Sequence, residues 1–173
     1  MAERDNLEPW EPSAEADWAA RHALSAWPAM YSGLRAEARK GRMLPYVIEV
    51  DGRFGGQLTI GNVTHGSLKS AWIGYWVCGE LTGGGVATGA VALGLDHCFG
   101  PVGLHRVEAT VRPENGRSRR VLAKVGFREE GLLRRYLNVD GDWRDHLLVA
   151  MTAEEPDGSV AATLVRRRLA TWQ

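Results

Sequence analysis

Apolar and polar positions along the chain change their period several times, and each change marks an element. Residues 1–13 are polar and aperiodic, with prolines at Pro9 and Pro12, and read as a loose or locally ordered start. Ser13 followed by residues 15–26 predicts a capped helix that ends near Pro28. Residues 29–39 predict a second helix, stopped at Lys40-Gly41. The period then shortens to two. Residues 46–50 form a β-rich run closed by Asp51-Gly52, a hairpin signal, and 54–63 return as the second strand. The adjacent Gly55 and Gly56 within it indicate a bulge or a close backbone approach. After a turn at 64–67, residues 70–77 form a third strand rich in aromatics (Trp72, Tyr75, Trp76), completing an antiparallel meander.

A glycine run follows, and helical spacing returns over 86–99, with apolar residues at Val86, Ala90, Leu93 and His97 or Cys98. Residues 105–111 read as a strand between Gly103 and Pro113. Residues 115–125 read as a short helix closed by Gly126, which sits where a left-handed C-terminal glycine is expected. Strands are predicted over 127–138 and 143–152, joined at Asp140-Gly141. A terminal helix is placed over 157–172, its Arg166, Arg167 and Arg168 forming a solvated last turn favoured by the helix dipole. The order predicts one mixed α/β domain over residues 1–173.

Composition narrows the chemistry. With 21 basic and 21 acidic residues the formal charge is zero, so no global field recruits nucleic acid or an anionic membrane. Any anionic ligand has to be held locally. Two cysteines are too few for a disulfide framework, and no signal peptide or long apolar run is visible, which points to the cytoplasm. Cys98 reads as a small core residue; Cys78, beside the glycine run, leaves a reactive-thiol reading open. The five histidines (His22, His65, His97, His105, His146) show no ligand spacing, and no metal is inferred.

The glycine run Thr82-Gly83-Gly84-Gly85-Val86-Ala87-Thr88 joins a strand to a helix. The first helical amides lack intrahelical partners, and glycines let backbone N–H groups approach phosphate oxygens. A Walker loop fits poorly, since the Gly-Lys-Ser/Thr ending is absent. A dinucleotide fingerprint fits poorly: Thr88 replaces the third glycine, and the preceding strands form hairpins, although Glu108 stands at a tolerable distance for a ribose ligand. A ligand-free glycine connection remains an alternative on local grounds.

This segment resembles the acetyl-CoA signature of the GNAT acetyltransferases, Arg/Gln-x-x-Gly-x-Gly/Ala, with Gly85 and Ala87 as the matching small residues. Thr82 stands where the pattern prefers Arg or Gln, so the backbone carries the cradle. The run from His105 to Asn115, then Ser118-Arg119-Arg120-Val121-Leu122 and Lys124-Val125-Gly126-Phe127, resembles the strand, Asn-x-x-Ser, helix and Gly-Phe succession of the same family. Glu130-Gly131-Leu132-Leu133-Arg134 and the hairpin Asp142-Trp143-Arg144-Asp145-His146 are similar to RimJ/RimL-type ribosomal-protein N-terminal acetyltransferases. The resemblance spans residues 45–152.

It implies a mostly antiparallel twisted sheet with flanking helices, in which the strands ending near Val77 and spanning 105–111 run parallel and splay apart. Acetyl-CoA would enter that gap, its pantetheine arm along Tyr75, Trp76 and Val77 and its diphosphate on Gly83, Gly84, Gly85, Val86, Ala87 and Thr88. The family's usual first strand is not visible before Trp18. Strand 46–50 is then an exposed edge, or a preceding segment belongs to the full protein.

Acetyl transfer by direct attack needs a neutral amine, a stabilised oxyanion and a protonated thiolate. The Val77 N–H is the expected oxyanion donor. The family's usual tyrosine position is Leu122 here, so Ser118 is the candidate thiol contact, with a first-turn serine bonded to local backbone as the alternative. Asn115 is expected to cap its helix and to touch the pantetheine arm. Arg135 stands where RimL-type relatives carry a glutamate, and Glu108 replaces it as candidate base; an ion-paired surface glutamate is the competing reading. Tyr136 is a candidate donor or substrate contact, while Trp72, Trp76 and Trp143 are expected in the core. Three functions fit: acetylation of a protein N-terminus, such as a ribosomal protein's alanine; acetylation of a polyamine or antibiotic amine; or a degenerate acyl-CoA-binding module. A homodimer is left open.

Overall fold

Six strands hydrogen-bond in the order β1-β2-β3-β4-β6-β5. They are β1 (Met43–Val50), β2 (Arg53–Thr64), β3 (Ser70–Val77), β4 (Arg106–Val111), β5 (Arg128–Val139) and β6 (Asp142–Thr152). The computed structural model describes residues 3–170. Its helices are α1 (Arg4–Leu7), α2 (Trp18–Arg21), α3 (Trp27–Arg39), α4 (Val86–Phe99), α5 (Gly116–Val125) and α6 (Val160–Ala170), with 3-10 turns at Leu24–Ala26 and Gly79–Leu81. No described helix is long and apolar enough to cross a membrane.

The meander follows from its turns. Asp51 and Gly52 both take positive φ, 51° and 76°, as a two-residue type I′ turn requires. The β1/β2 register slips between Ile48 and Glu49, so Gly55 is the unpaired residue of a bulge, as the glycine pair predicted. Strand β1 is an edge, and no strand precedes it among the described residues. It begins earlier than expected and includes Pro45, which an edge strand tolerates.

Strands β3 and β4 are the parallel pair, connected by α4 as a crossover. They register at only three positions, Ser70↔Arg106, Ala71↔Val107 and Trp72↔Glu108, and then part. This is the splay that the resemblance implied.

The core lies between the sheet and α4–α6. On β4 only Val107, Ala109 and Val111 are buried, the period-two pattern of a strand with one covered face. Val91, Ala92, Leu95 and Cys98 bury the facing side of α4. Gly94 makes the contact close: a Cβ there would stand 3.3 Å from Ile73 and Leu58 side chains. Burying side chains such as Leu95 and Val91 contributes about 1.5–3 kcal/mol each. Burial also pushes the Cys98 thiol up to about 12, consistent with a packing role.

The helices before β1 depart from expectation. In place of a helix over 15–26 capped by Ser13, one turn (α2) is capped by Asp17, whose carboxylate accepts the Ala20 N–H at 2.7 Å. Ser13 is engaged elsewhere, and Ala23 is extended (φ −69°, ψ 149°), which ends any continuation. Pro28 does not stop a helix; it lies in the first turn of α3, where its missing N–H leaves no bond unmade. The predicted terminal helix is α6; its expected end at Trp172 and the Arg168 side chain lie outside the described residues.

Candidate active site

The phase of the β2/β3 ladder decides which backbone groups face the splay. Cys78 N–H donates to Gly55 O at 2.8 Å, and Gln57 registers with Trp76. Antiparallel pairs alternate between bonded and non-bonded positions, so the Trp76 backbone is committed to β2. Tyr75 and Val77 therefore turn their N–H and C=O groups away from β2 into the gap. The Trp76 ring packs edge-on against Phe54 at 5.7 Å. The strands approach very closely here, since a Cβ on Gly56 would lie 2.2 Å from the Trp76 carbonyl oxygen.

The glycine run forms the other wall. Gly83 and Gly85 take φ of 85° and 86°, and a Cβ on either would meet nothing within 4 Å. Gly85 is the N-cap of α4 without a side-chain cap. The Gly89 N–H is the first to enter the helical ladder, bonding Gly85 O at 2.9 Å, so the amides of Val86, Ala87 and Thr88 point outward at the positive end of the dipole. The Thr82 hydroxyl folds back to donate to Gly79 O at 2.7 Å, leaving this cradle to backbone groups.

Across the gap, Asn115 caps α5, its Oδ1 accepting the Ser118 N–H at 3.0 Å. Gly126 closes the helix with φ 108°. The Ser118 hydroxyl lies 2.9 Å from the Tyr75 hydroxyl, which also reaches Ser118 O at 3.3 Å. Burial pushes the Tyr75 phenol up to about 12, with the Ser118 hydrogen bond acting in the opposite sense. Leu122 is 2% exposed and belongs to the core. Sequence reasoning used Tyr75 only for its backbone. The signal for its side chain was its inward phase, shared with Ile73 and Val77.

Other expected residues lie apart. Glu108 occupies the last paired position of the parallel strands, opposite Trp72, and projects from β4 toward the face opposite α4. It accepts from Arg106 Nε at 2.6 Å, and the same guanidinium grips Glu130. Hydrogen bonds from Arg106, then Arg128, hold the Glu130 carboxyl down to about 2. Tyr136 is on edge strand β5, its ring against His146 at 5.7 Å; His146 is buried and bonds Arg144 O at 3.1 Å. Trp72 and Trp143 are not core residues: they are 41% and 59% exposed, because the face opposite α4 is only partly covered. A cavity of about 380 Å³ lined by Val111, Leu122, Phe127, Leu147 and Arg120 contains none of Tyr75, Val77 or Gly85.

The N-terminal segment, read as a loose or locally ordered start, is a strap across the open end of the splay. Asn6 Nδ2 donates to Val77 O at 3.1 Å, and Glu3 accepts the Gly79 N–H at 2.9 Å. Leu7 is buried. Arg112, just beyond β4, donates to Pro9 O at 3.0 Å and stacks over Trp10 at 5.3 Å. Ser13 then bonds Asn138 O through its N–H and the Gly141 N–H through its hydroxyl, tying the strap to the β5–β6 hairpin.

The model of the acetyltransferase (GNAT) domain family matches residues 2–128. Among solved structures, RimJ of Mycobacterium smegmatis in complex with CoA-disulfide is 69% identical, covering 96% of this chain and 80% of that one, with a TM-score of 0.95. The [ribosomal protein uS5]-alanine N-acetyltransferase of Escherichia coli (strain K12) is 30% identical over 155 residues, 88% of this chain and 78% of that protein. The probable N-acetyltransferase YjcK of Bacillus subtilis (strain 168) is 40% identical over 101 residues, 58% of this chain and 56% of that protein.

Proposed function

The chain belongs to the GNAT acetyltransferase family and is an acetyl-CoA-dependent N-acetyltransferase; we propose that its acceptor is the N-terminal alanine of a ribosomal protein. The 69% identity to RimJ over 96% of the chain carries this reading, joined to the splay that the glycine cradle and Ser118 flank.

Acetyl-CoA is the co-substrate, and its diphosphate is assigned to the outward amides of Val86, Ala87 and Thr88 above Gly83, Gly84 and Gly85. Pantetheine pairs with the gap-facing backbone of Tyr75, runs toward Val77 and passes Asn115. The amine nitrogen attacks the thioester carbonyl, and the Val77 N–H, already oriented, receives the oxyanion without reorganisation. The C–S bond then breaks, and Ser118 contacts the departing sulfur. Glu108 keeps one carboxylate oxygen outside its Arg106 contact, and a water held there is the route for the amine proton. Tyr136 borders the acceptor side. The strap and the β5–β6 hairpin that it ties down form the walls where a peptide N-terminus enters.

The test is mass spectrometry of peptides starting with alanine, the same peptides blocked at the α-amine, and spermidine, each incubated with acetyl-CoA. Acetyl on the free α-amine alone, with matching release of CoA, is the expected result. Acetylation of spermidine with no peptide product would overturn the acceptor assignment.

A further inference from the structure

Tyr75 stands apart from its strand neighbours. Ile73, Tyr75 and Val77 share one phase of β3, and Tyr75 alone among them brings a polar tip to the helix side. A half-buried phenol packed against the core is unfavourable unless its hydroxyl finds a partner, and both partners here are atoms of Ser118. The bond crosses the splay from β3 to α5, beside the gap that admits the thioester. One turn further along α5, Leu122 presents hydrocarbon, so the helix supplies no ionisable donor there.

We propose that Tyr75 is a positioning residue for acetyl transfer, its hydroxyl holding the Ser118 hydroxyl so that the Ser118 proton points at the sulfur of CoA. This rests on the acetyl-CoA reading of the gap. In the step itself the N–C bond forms, the C–S bond breaks and its electron pair leaves with sulfur as thiolate. Ser118 donates a hydrogen bond to that thiolate, and Tyr75 donates to Ser118 Oγ, each bond polarising the next. The amine's proton leaves by the water at Glu108 to solvent, and the thiolate regains one from solvent. With burial pushing it up to about 12, the phenol stays protonated and serves as a donor. It does not surrender its proton to the thiolate, the weaker base of the two.

The test compares binding of CoA and desulfo-CoA to the full chain by calorimetry in alkaline buffer, where the thiol is partly ionised. The wild type should favour CoA by about ten-fold, the scale of a charge-assisted hydrogen bond. Tyr75→Phe should reduce that preference to within about two-fold while leaving desulfo-CoA affinity unchanged, and the double variant with Ser118→Ala should be no worse than Ser118→Ala alone. In turnover, Tyr75→Phe should lower kcat about ten-fold with an unaltered KM for acetyl-CoA. Retention of the wild-type preference in Tyr75→Phe overturns the proposal, as does equal loss for both ligands, the mark of a merely structural role. Failure to acetylate any peptide would refute the ribosomal acceptor, while the CoA and desulfo-CoA comparison would still decide the role of Tyr75.

Discussion

The side-chain amide of Asn6 donates to the carbonyl of Val77 at 3.1 Å, joining residues 71 positions apart at the open end of the splayed strands. The same amide donates to Glu3, whose carboxylate also accepts the Gly79 N–H. One short side chain thus fixes the strap to the last residue of β3. Asn6→Ala removes two hydrogen bonds and leaves Val77 O without a protein partner. It is expected to reduce stability by about 1–2 kcal/mol, read as a lower midpoint in denaturant unfolding. With the acceptor entrance proposed beside the strap, the KM for the peptide should rise while acetyl-CoA affinity stays unchanged. An unchanged peptide KM would separate the strap from the acceptor.

Gly85→Asp tests the cradle. At φ 86° a non-glycine residue is strained, and the Cβ would project into space that is open only while no ligand fills it. The carboxylate would stand against the diphosphate, a like-charge contact that costs several kcal/mol, so acetyl-CoA affinity should fall by about 100-fold or more. Calorimetry checks it, and unaltered affinity would remove the diphosphate from this turn.

Much of this architecture was legible in short-range signals. Asp51-Gly52 specified its turn, the bulge followed from Gly55-Gly56, and helical spacing located α4 and α5. The misread parts depend on partners distant in the chain. Asn6 and Val77, or Tyr75 and Ser118, leave no periodicity, and a polar segment with Pro9 and Pro12 looks loose until its hydrogen bonds are seen. Ser13 was read as the cap of the first helix, yet Asp17 caps α2, and Ser13 is drawn to the β5–β6 hairpin. Trp72 and Trp143 were expected in the core on grounds of size, yet a period-two pattern does not say which face of a sheet lacks a cover.

Asp96 is the fastener of α6. From α4 its carboxylate accepts the Val160 N–H at 2.6 Å, the Ala161 N–H at 3.2 Å and the Ser159 hydroxyl at 2.7 Å. It satisfies amides that the first turn of α6 cannot satisfy itself. Asp96→Ala should destabilise the chain by about 2 kcal/mol and expose the bond after Arg166 to trypsin. Acetyl-CoA affinity should be retained. Resistance to trypsin equal to that of the wild type would show that packing of Val160 suffices to dock the helix.

Glu130 makes stability depend on acid. Arg106 and Arg128 hold its carboxyl down to about 2 from an ordinary 4.5, so the folded chain binds this proton less readily than the unfolded chain. The stabilisation is therefore complete above about pH 5 and is lost as pH falls through about 4.5 toward about 2. Glu130→Gln keeps the shape and lacks the charge. Its melting temperature should lie below that of the wild type by a constant amount above about pH 5, and the two should converge by about pH 2. The side chain is about a quarter exposed, so salt should narrow the gap at neutral pH. A gap that persists undiminished at about pH 2 would mean that the carboxylate contributes through packing and not through its ion pairs.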